Sequence, residues 1–234
     1  MKSVSFRVFL PNFITFLALC AGASAIRFAL MGQLEAAVVS FLIAAFLDAC
    51  DGFAARALNG QTEFGAQLDA LADMVSFGVS PAVIVYVFNL SGAPGLYWLA
   101  CLFYIAATAF RLARFKTDEG ESHHGRGFFK GLPAPGAAFL ALLPLFLLYA
   151  NGGAVFVQPP VVATLLVLVA LLMVSRLPTP SLKNIGSGKK GGYIIAAFTV
   201  IILVLLANYF WLTLAALGCL YILSLPISAY RAHK

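Results

Sequence analysis

Eight apolar runs follow one another along the chain with only short polar breaks between them. They cover 10–30, 34–57, 66–89, 94–115, 132–151, 158–175, 191–208 and 210–229. A bilayer core takes roughly 20 apolar residues per helical span. Lipid offers no partners to backbone N–H and C=O groups, and a helix satisfies them within itself. The pattern therefore predicts an all-α, polytopic membrane helix bundle of about eight transmembrane helices, a single membrane domain over 1–234. Composition closes the alternatives. Residues of the apolar set make up 62% of the chain and charged ones 10%, against about 45–50% and 25% in soluble domains. A lone soluble domain and a disordered chain are both excluded.

Charge then orients the spans. The net charge of +6 would suggest nucleic acid in a soluble protein, but here it follows topology, because Lys and Arg gather in cytoplasmic loops. With the N-terminus inside, the basic residues from Lys2 and Arg7 through Arg56, Arg111, Arg114, Lys116, Arg126 and Lys130 to Lys234 share the cytoplasmic side. Of the 15 basic residues only Arg27 falls opposite. Both termini are expected in the cytoplasm, with the loops at Gly60 and Glu121 inside and those at Gly92 and Gly152 outside. No nucleic acid partner is expected. The segment Ala23-Ser24-Ala25 has the small-residue pattern of a signal-peptidase site, but the first run is read as a retained helix. Cys20, Cys50, Cys101 and Cys219 lie in apolar stretches without CxxC spacing and are read as packing residues. Trp98 and Trp211 suit interfacial anchoring.

The carboxylates do not fit a lipid-facing role. Asp48 and Asp51 are three apart at the inner end of the second run; Asp69 and Asp73 are four apart in the third. Each pair shares a helix face, and the short polar loop from Asn59 to Glu63 forces the two helices antiparallel. Four carboxylates then face one another near the cytoplasmic surface, which is costly unless a cation sits among them. Arg56 alone cannot balance them, and no His or Cys on the face that carries the carboxylates offers a zinc site. All-oxygen ligation points to Mg²⁺ or Mn²⁺, and a four-carboxylate cage can hold two ions. A proton or sodium pathway in an ion-coupled transporter, or a structural Asp–Arg cluster, remains open on these residues alone. Gly52, Ala54, Ala55 and Gly65 beside the carboxylates leave room for a ligand, or for close helix packing.

Positions 48–73 read D-x2-D-G-x2-A-R-x8-G-x3-D-x3-D, with every defined position filled. This resembles the signature of the CDP-alcohol phosphotransferases, membrane enzymes that pass a phosphatidyl or similar group from a CDP-linked donor to an alcohol. The resemblance implies that Asp48, Asp51, Asp69 and Asp73 bind a pair of divalent ions holding the CDP diphosphate, with Asp73 also the general base. It further implies donor contacts by Gly52, Ala55, Arg56, Thr62 and Gly65, with Asn12 and Thr15 as further donor-contact candidates. A Mg²⁺ or Mn²⁺ pair suits such chemistry, a carboxylate one turn along the same helix can accept the hydroxyl proton, and no Ser–His or Cys–His arrangement suggests a covalent route. Direct displacement by the alcohol is the expected mechanism.

The resemblance extends over about 1–190, through Leu10–Thr15, Leu71–Ala82, Phe110–Phe115 and Phe129–Ala138. It narrows to the integral-membrane bacterial and archaeal members that use CDP-diacylglycerol and L-serine. Where many relatives have Asn, this chain has Ala18. The family core has six spans; the pair over 191–229 is an addition to which no chemistry is assigned. Serine brings a carboxylate and an ammonium, so a fixed cation should face it. Arg111, Arg114 and Lys130 are the candidates, and contact with lipid phosphates would explain them equally well. His123 and His124 are read as solvated loop. The same chemistry with glycerol phosphate, inositol phosphate or choline is the alternative. The resemblance implies a homodimer among membrane lipids of the cell (inner) membrane, with its active site facing the cytoplasm.

Overall fold

The computed structural model describes residues 6–92, 95–118, 128–151, 157–175, 178–180, 200–202 and 204–232; of these, the side chains of 115–118, 128–130, 151, 178–180 and 226–232 are not described. Helices α1 (Phe6–Leu30) and α2 (Leu34–Ala57) form an antiparallel pair. The third span is one continuous helical stretch over Glu63–Leu90. It begins as α3 (Glu63–Asp73), loosens to a π turn over Met74–Val79, resumes as α4 (Ser80–Val85) and ends in a second π turn over Tyr86–Leu90. Then come α5 (Leu96–Asp118), α6 (Ala134–Ala141), α7 (Leu143–Asn151), α8 (Pro159–Val174) and, after helical residues over 204–208, α9 (Phe210–Ala232).

Four of these helices are long and apolar enough to cross a membrane. Their outward faces are apolar: Phe46 and Phe53 on α2 are each 68% exposed. Buried small residues such as Ala18, Ala25 and Ala29 on α1 and Ala37 and Ala44 on α2 bring the two backbones close, as helix packing in lipid favours. The protein is a polytopic helical membrane protein, and polar side chains buried within its first four spans include Thr15, Ser40, Asp51, Ser76, Ser80 and Thr108.

The expected first four and sixth spans match within a few residues. The fifth does not. It is two helices broken at Leu142, because Pro144 has no N–H for the Leu140 carbonyl one turn back. Of the expected seventh span, 191–199 lies outside the described residues. One small feature is not helical: β1 (Phe128–Lys130) pairs antiparallel with β2 (Pro178–Pro180), Phe129 opposite Thr179. Nothing in the apolar pattern marks it, since both strands lie in polar connections.

Two turns set the first three spans. At each, the helix ends in a left-handed residue, Gly32 (φ 74) after α1 and Asn59 (φ 50) after α2. The following N–H reaches back to close the end: Gln33 to Phe28 O at 2.9 Å and Gly60 to Ala55 O at 3.0 Å. Thr62 then caps α3, its hydroxyl accepting from Gly65 N–H at 3.0 Å. The chain thus reverses between α2 and α3 in a few residues.

Prolines in the spans leave carbonyls that something else must meet. Pro11 cannot donate to the Arg7 carbonyl; Gly60 packs there so closely that a side chain would collide with that oxygen. Pro81 cannot donate to the Phe77 carbonyl, and the buried Tyr104 hydroxyl of α5 donates to it instead at 2.8 Å. These contacts tie the α2–α3 turn to α1, and the first π turn to α5. The core lies between them, with Phe41 edge-on to Phe77 at 6.2 Å between ring centroids.

The buried Gly60 is therefore a poor site for a probe, whereas Gln61 beside it is exposed. In a Cys-free background, a thiol at Gln61 should react with an impermeant reagent from the cytoplasmic side only, and one at exposed Gly92 from the opposite side only. Labelling of Gln61 from outside would overturn the orientation.

Candidate carboxylate centre and adjoining pocket

The α2–α3 reversal brings the last two turns of α2 and the middle of α3 to one level, both packed on α1, so that their carboxylates converge. Asp48, Asp51 and Asp69 each offer a carboxylate oxygen, all within 4.8 Å of one another. The Asp73 and Asp48 carboxyl groups lie within hydrogen-bond reach across the two helices. All four expected carboxylates thus come together.

The surroundings leave two of their oxygens unmet. Asp51 Oδ2 and Asp73 Oδ1 are buried without a hydrogen-bond partner. Two ionised carboxylates 4.8 Å apart repel by roughly 3 kcal/mol at an effective dielectric near 20. The donor set is all oxygen, negatively charged and convergent, with unsatisfied lone pairs turned inward. These residues fit a hard divalent cation.

Beside the cage lies a pocket of about 410 Å³. Asp51 and Asp69 form its boundary with the cage; Asn12, Thr15, Gly52, Ala55, Arg56, Thr62 and Gly65 line the rest, together with Pro11, Gly60, Gln61 and Ala66. Every residue expected to contact a donor lines this one cavity. Thr15 lies beside the Asp51 carboxylate while donating to the Pro11 carbonyl at 3.1 Å. The Arg56 guanidinium folds back along α2 over Gly52, whose added Cβ would stand 3.5 Å from Nη1. A Cβ on Gly65 would lie 2.7 Å from Asn12 Oδ1 and 3.1 Å from Thr62 Oγ1, so a side chain here would push the Asn12 amide out of its place in the pocket.

The expected cations on the other side of the cage separate. Arg111, on α5, lies within electrostatic reach of Asp73, Tyr104 and Tyr221, and its Nε is buried without a hydrogen-bond partner. Arg114 donates from Nη1 to the Val174 carbonyl at 3.4 Å, where a cation suits the C-terminus of α8. Lys130 ends β1, and its side chain lies outside the described residues, as do His123 and His124 altogether. Pro11, which the sequence suggests as the end of a segment before the first span, instead lies inside α1 and lines the pocket. Sequence reasoning missed Tyr104 and Tyr221, which no local pattern marks.

Known proteins share this arrangement of sequence. The family described as CDP-alcohol phosphatidyltransferase matches over residues 8–174. A Mycobacterium leprae protein named CDP-diacylglycerol–serine O-phosphatidyltransferase is 43% identical over 148 residues, 61% of this chain and 49% of that protein. A Bacillus subtilis protein of the same name is 32% identical over 138 residues, 59% of this chain and 76% of its own. The archaetidylserine synthase of Methanothermobacter thermautotrophicus is 29% identical over 192 residues, 80% of this chain and 76% of its own. The chain spans about half the length of the mycobacterial relatives it matches.

Purified protein should take up Mn²⁺, read as loss of the free-ion electron paramagnetic resonance signal. Asp51→Asn and Asp69→Asn should each weaken uptake by about tenfold or more, since affinity follows ligand charge. The melting temperature should hold or rise, because each change removes a repelling charge. Unchanged affinity in both variants would contradict a cation site here.

Proposed function

The chain belongs to the CDP-alcohol phosphatidyltransferase family, and from that premise we propose that it transfers the phosphatidyl group of CDP-diacylglycerol to L-serine, releasing CMP, at the cytoplasmic face. The observation that carries this is the joining of a convergent carboxylate cage to a cavity lined by all the residues matched to donor contacts. The names of the relatives support serine as the acceptor.

Asp48, Asp51, Asp69 and Asp73 would hold Mg²⁺ or Mn²⁺, as a pair of ions, which supplies charge neutralisation for the donor's diphosphate and the departing CMP. The protein's own residues do the rest. Arg56, reaching over Gly52 into the pocket, pairs with donor phosphate, and a guanidinium suits such oxygens. Asn12 and Thr15 offer polar contacts from α1, and Thr62 does so from the α3 cap. The glycine and alanine positions let the donor lie close to the backbone.

Asp73 sits at the far edge of the cage, towards Arg111. The serine hydroxyl oxygen attacks the lipid-bearing phosphorus as its proton passes to the Asp73 carboxylate. The bond from that phosphorus to the CMP oxygen breaks, and CMP leaves. Arg111 holds the serine carboxylate, so that the hydroxyl points at the phosphorus. Positioning of this kind lowers the barrier by fixing the reactants in line.

Purified protein with labelled CDP-diacylglycerol and Mn²⁺ should release CMP with L-serine in preference to glycerol phosphate, inositol phosphate or choline. Asp48→Asn, Asp51→Asn and Asp69→Asn should each nearly abolish release while remaining folded. Asp73→Asn should slow a single turnover by about 10²–10⁴-fold, the usual contribution of a positioned base, with a smaller change in donor Kd. CMP release from another alcohol but not serine would replace the acceptor. Near-normal turnover in Asp73→Asn would remove it from the chemistry.

A further inference from the structure

Helix α9 lies beyond the family match, which ends at residue 174, yet it is not a passive neighbour. One face carries Trp211, Leu214, Gly218, Tyr221 and Leu225, spaced by three, four, three and four residues. That is the stripe of a helix packed along a partner. Its partner is the broken fifth span. Trp211 stacks on Tyr149 with ring centroids 4.5 Å apart. Leu214 is buried, and an added Cβ on Gly218 would stand 2.7 Å from Leu143 Cδ1. Further along, a Cβ on Gly136 would stand 2.6 Å from the Tyr221 hydroxyl oxygen and 2.9 Å from its ring.

The stripe thus delivers the Tyr221 phenol across the start of α6, within electrostatic reach of Arg111. Arg111 in turn lies within reach of Asp73. Two phenols flank Arg111, and they differ. Tyr104 is committed, since its hydroxyl donates to the carbonyl that Pro81 leaves free. Tyr221 is the one that can turn its hydroxyl to a ligand. Arg111 keeps an unpartnered, buried Nε–H, so a charged donor and a neutral donor lie within electrostatic reach of each other, and the charged one within reach of the proposed base. That pair suits an alcohol that carries a carboxylate.

We propose that Tyr221 is a specificity-determining residue for the acceptor, its hydroxyl donating to the carboxylate that Arg111 holds. This rests on the reading of serine as acceptor, and it gives the C-terminal helix a part in the site. Glycine at 136 is then required, because any side chain there displaces the phenol.

Tyr221→Phe removes one oxygen and keeps the ring on Gly136, so folding is preserved. It should raise the serine KM by about tenfold or more, as for one hydrogen bond to a charged group, with a smaller fall in kcat and no change in the KM for CDP-diacylglycerol. Gly136→Ala should shift the serine KM in the same direction by pushing the phenol aside. With ethanolamine, which lacks the carboxylate, any transfer should be equal in wild type and Tyr221→Phe. An unchanged serine KM in Tyr221→Phe, or an equal loss with both acceptors, would overturn the proposal while leaving the reading of serine as acceptor standing. Failure of the wild-type protein to use serine would instead remove the reading beneath it, and this proposal with it.

Discussion

Mutual repulsion among four carboxylates, held together by the turn between α2 and α3, is the constraint on which the molecule depends. Left alone, the two helix ends would move apart. They are held by the left-handed Asn59, the Gly60 bond to Ala55 and the Thr62 cap, none of which is itself charged. Hydrophobic packing then fixes the pair against α1. Such a site is a poor element of the empty fold and a good receptor for a cation, since a bound ion converts repulsion into attraction.

Proline shapes what surrounds that cage. In lipid an unmet carbonyl is expensive, so each proline inside a span makes a place where another element must come. Pro11 leaves the Arg7 carbonyl without its helix partner, and the Gly60 turn packs against that carbonyl beside the pocket. Pro81 draws Tyr104 onto the π turn that follows Asp73, which locks α5 and hence Arg111 in register with the cage. Pro144 breaks the fifth span, and α9 packs along the two pieces. Helix-breaking residues here position the helices that carry chemistry.

Much of this could be read from the residues. Hydropathy marks the long spans because burial in lipid demands it of each residue, and the Asp spacings mark the cage because helix geometry turns three and four into one face. The donor pocket followed by resemblance, and those residues do line one cavity. Other features escaped for a physical reason: they are set by partners distant in sequence. Tyr221 comes within electrostatic reach of Arg111 through the packing of α9 on α6. The β1–β2 pair joins two loops. Arg114 looks like Arg111 in the sequence, and only the position of the α8 end directs its guanidinium to the Val174 carbonyl.

The central claim is that the four aspartates hold a divalent cation at the mouth of the donor pocket. The most direct measurement is an anomalous difference map from crystals grown with Mn²⁺ and CDP-diacylglycerol, collected at the manganese edge. The account predicts density among Asp48, Asp51, Asp69 and Asp73, with the donor diphosphate against it and the nucleotide between Asn12, Arg56 and Gly65. A donor seated in the pocket with no manganese among the four carboxylates, or manganese bound elsewhere in the protein alone, would contradict it.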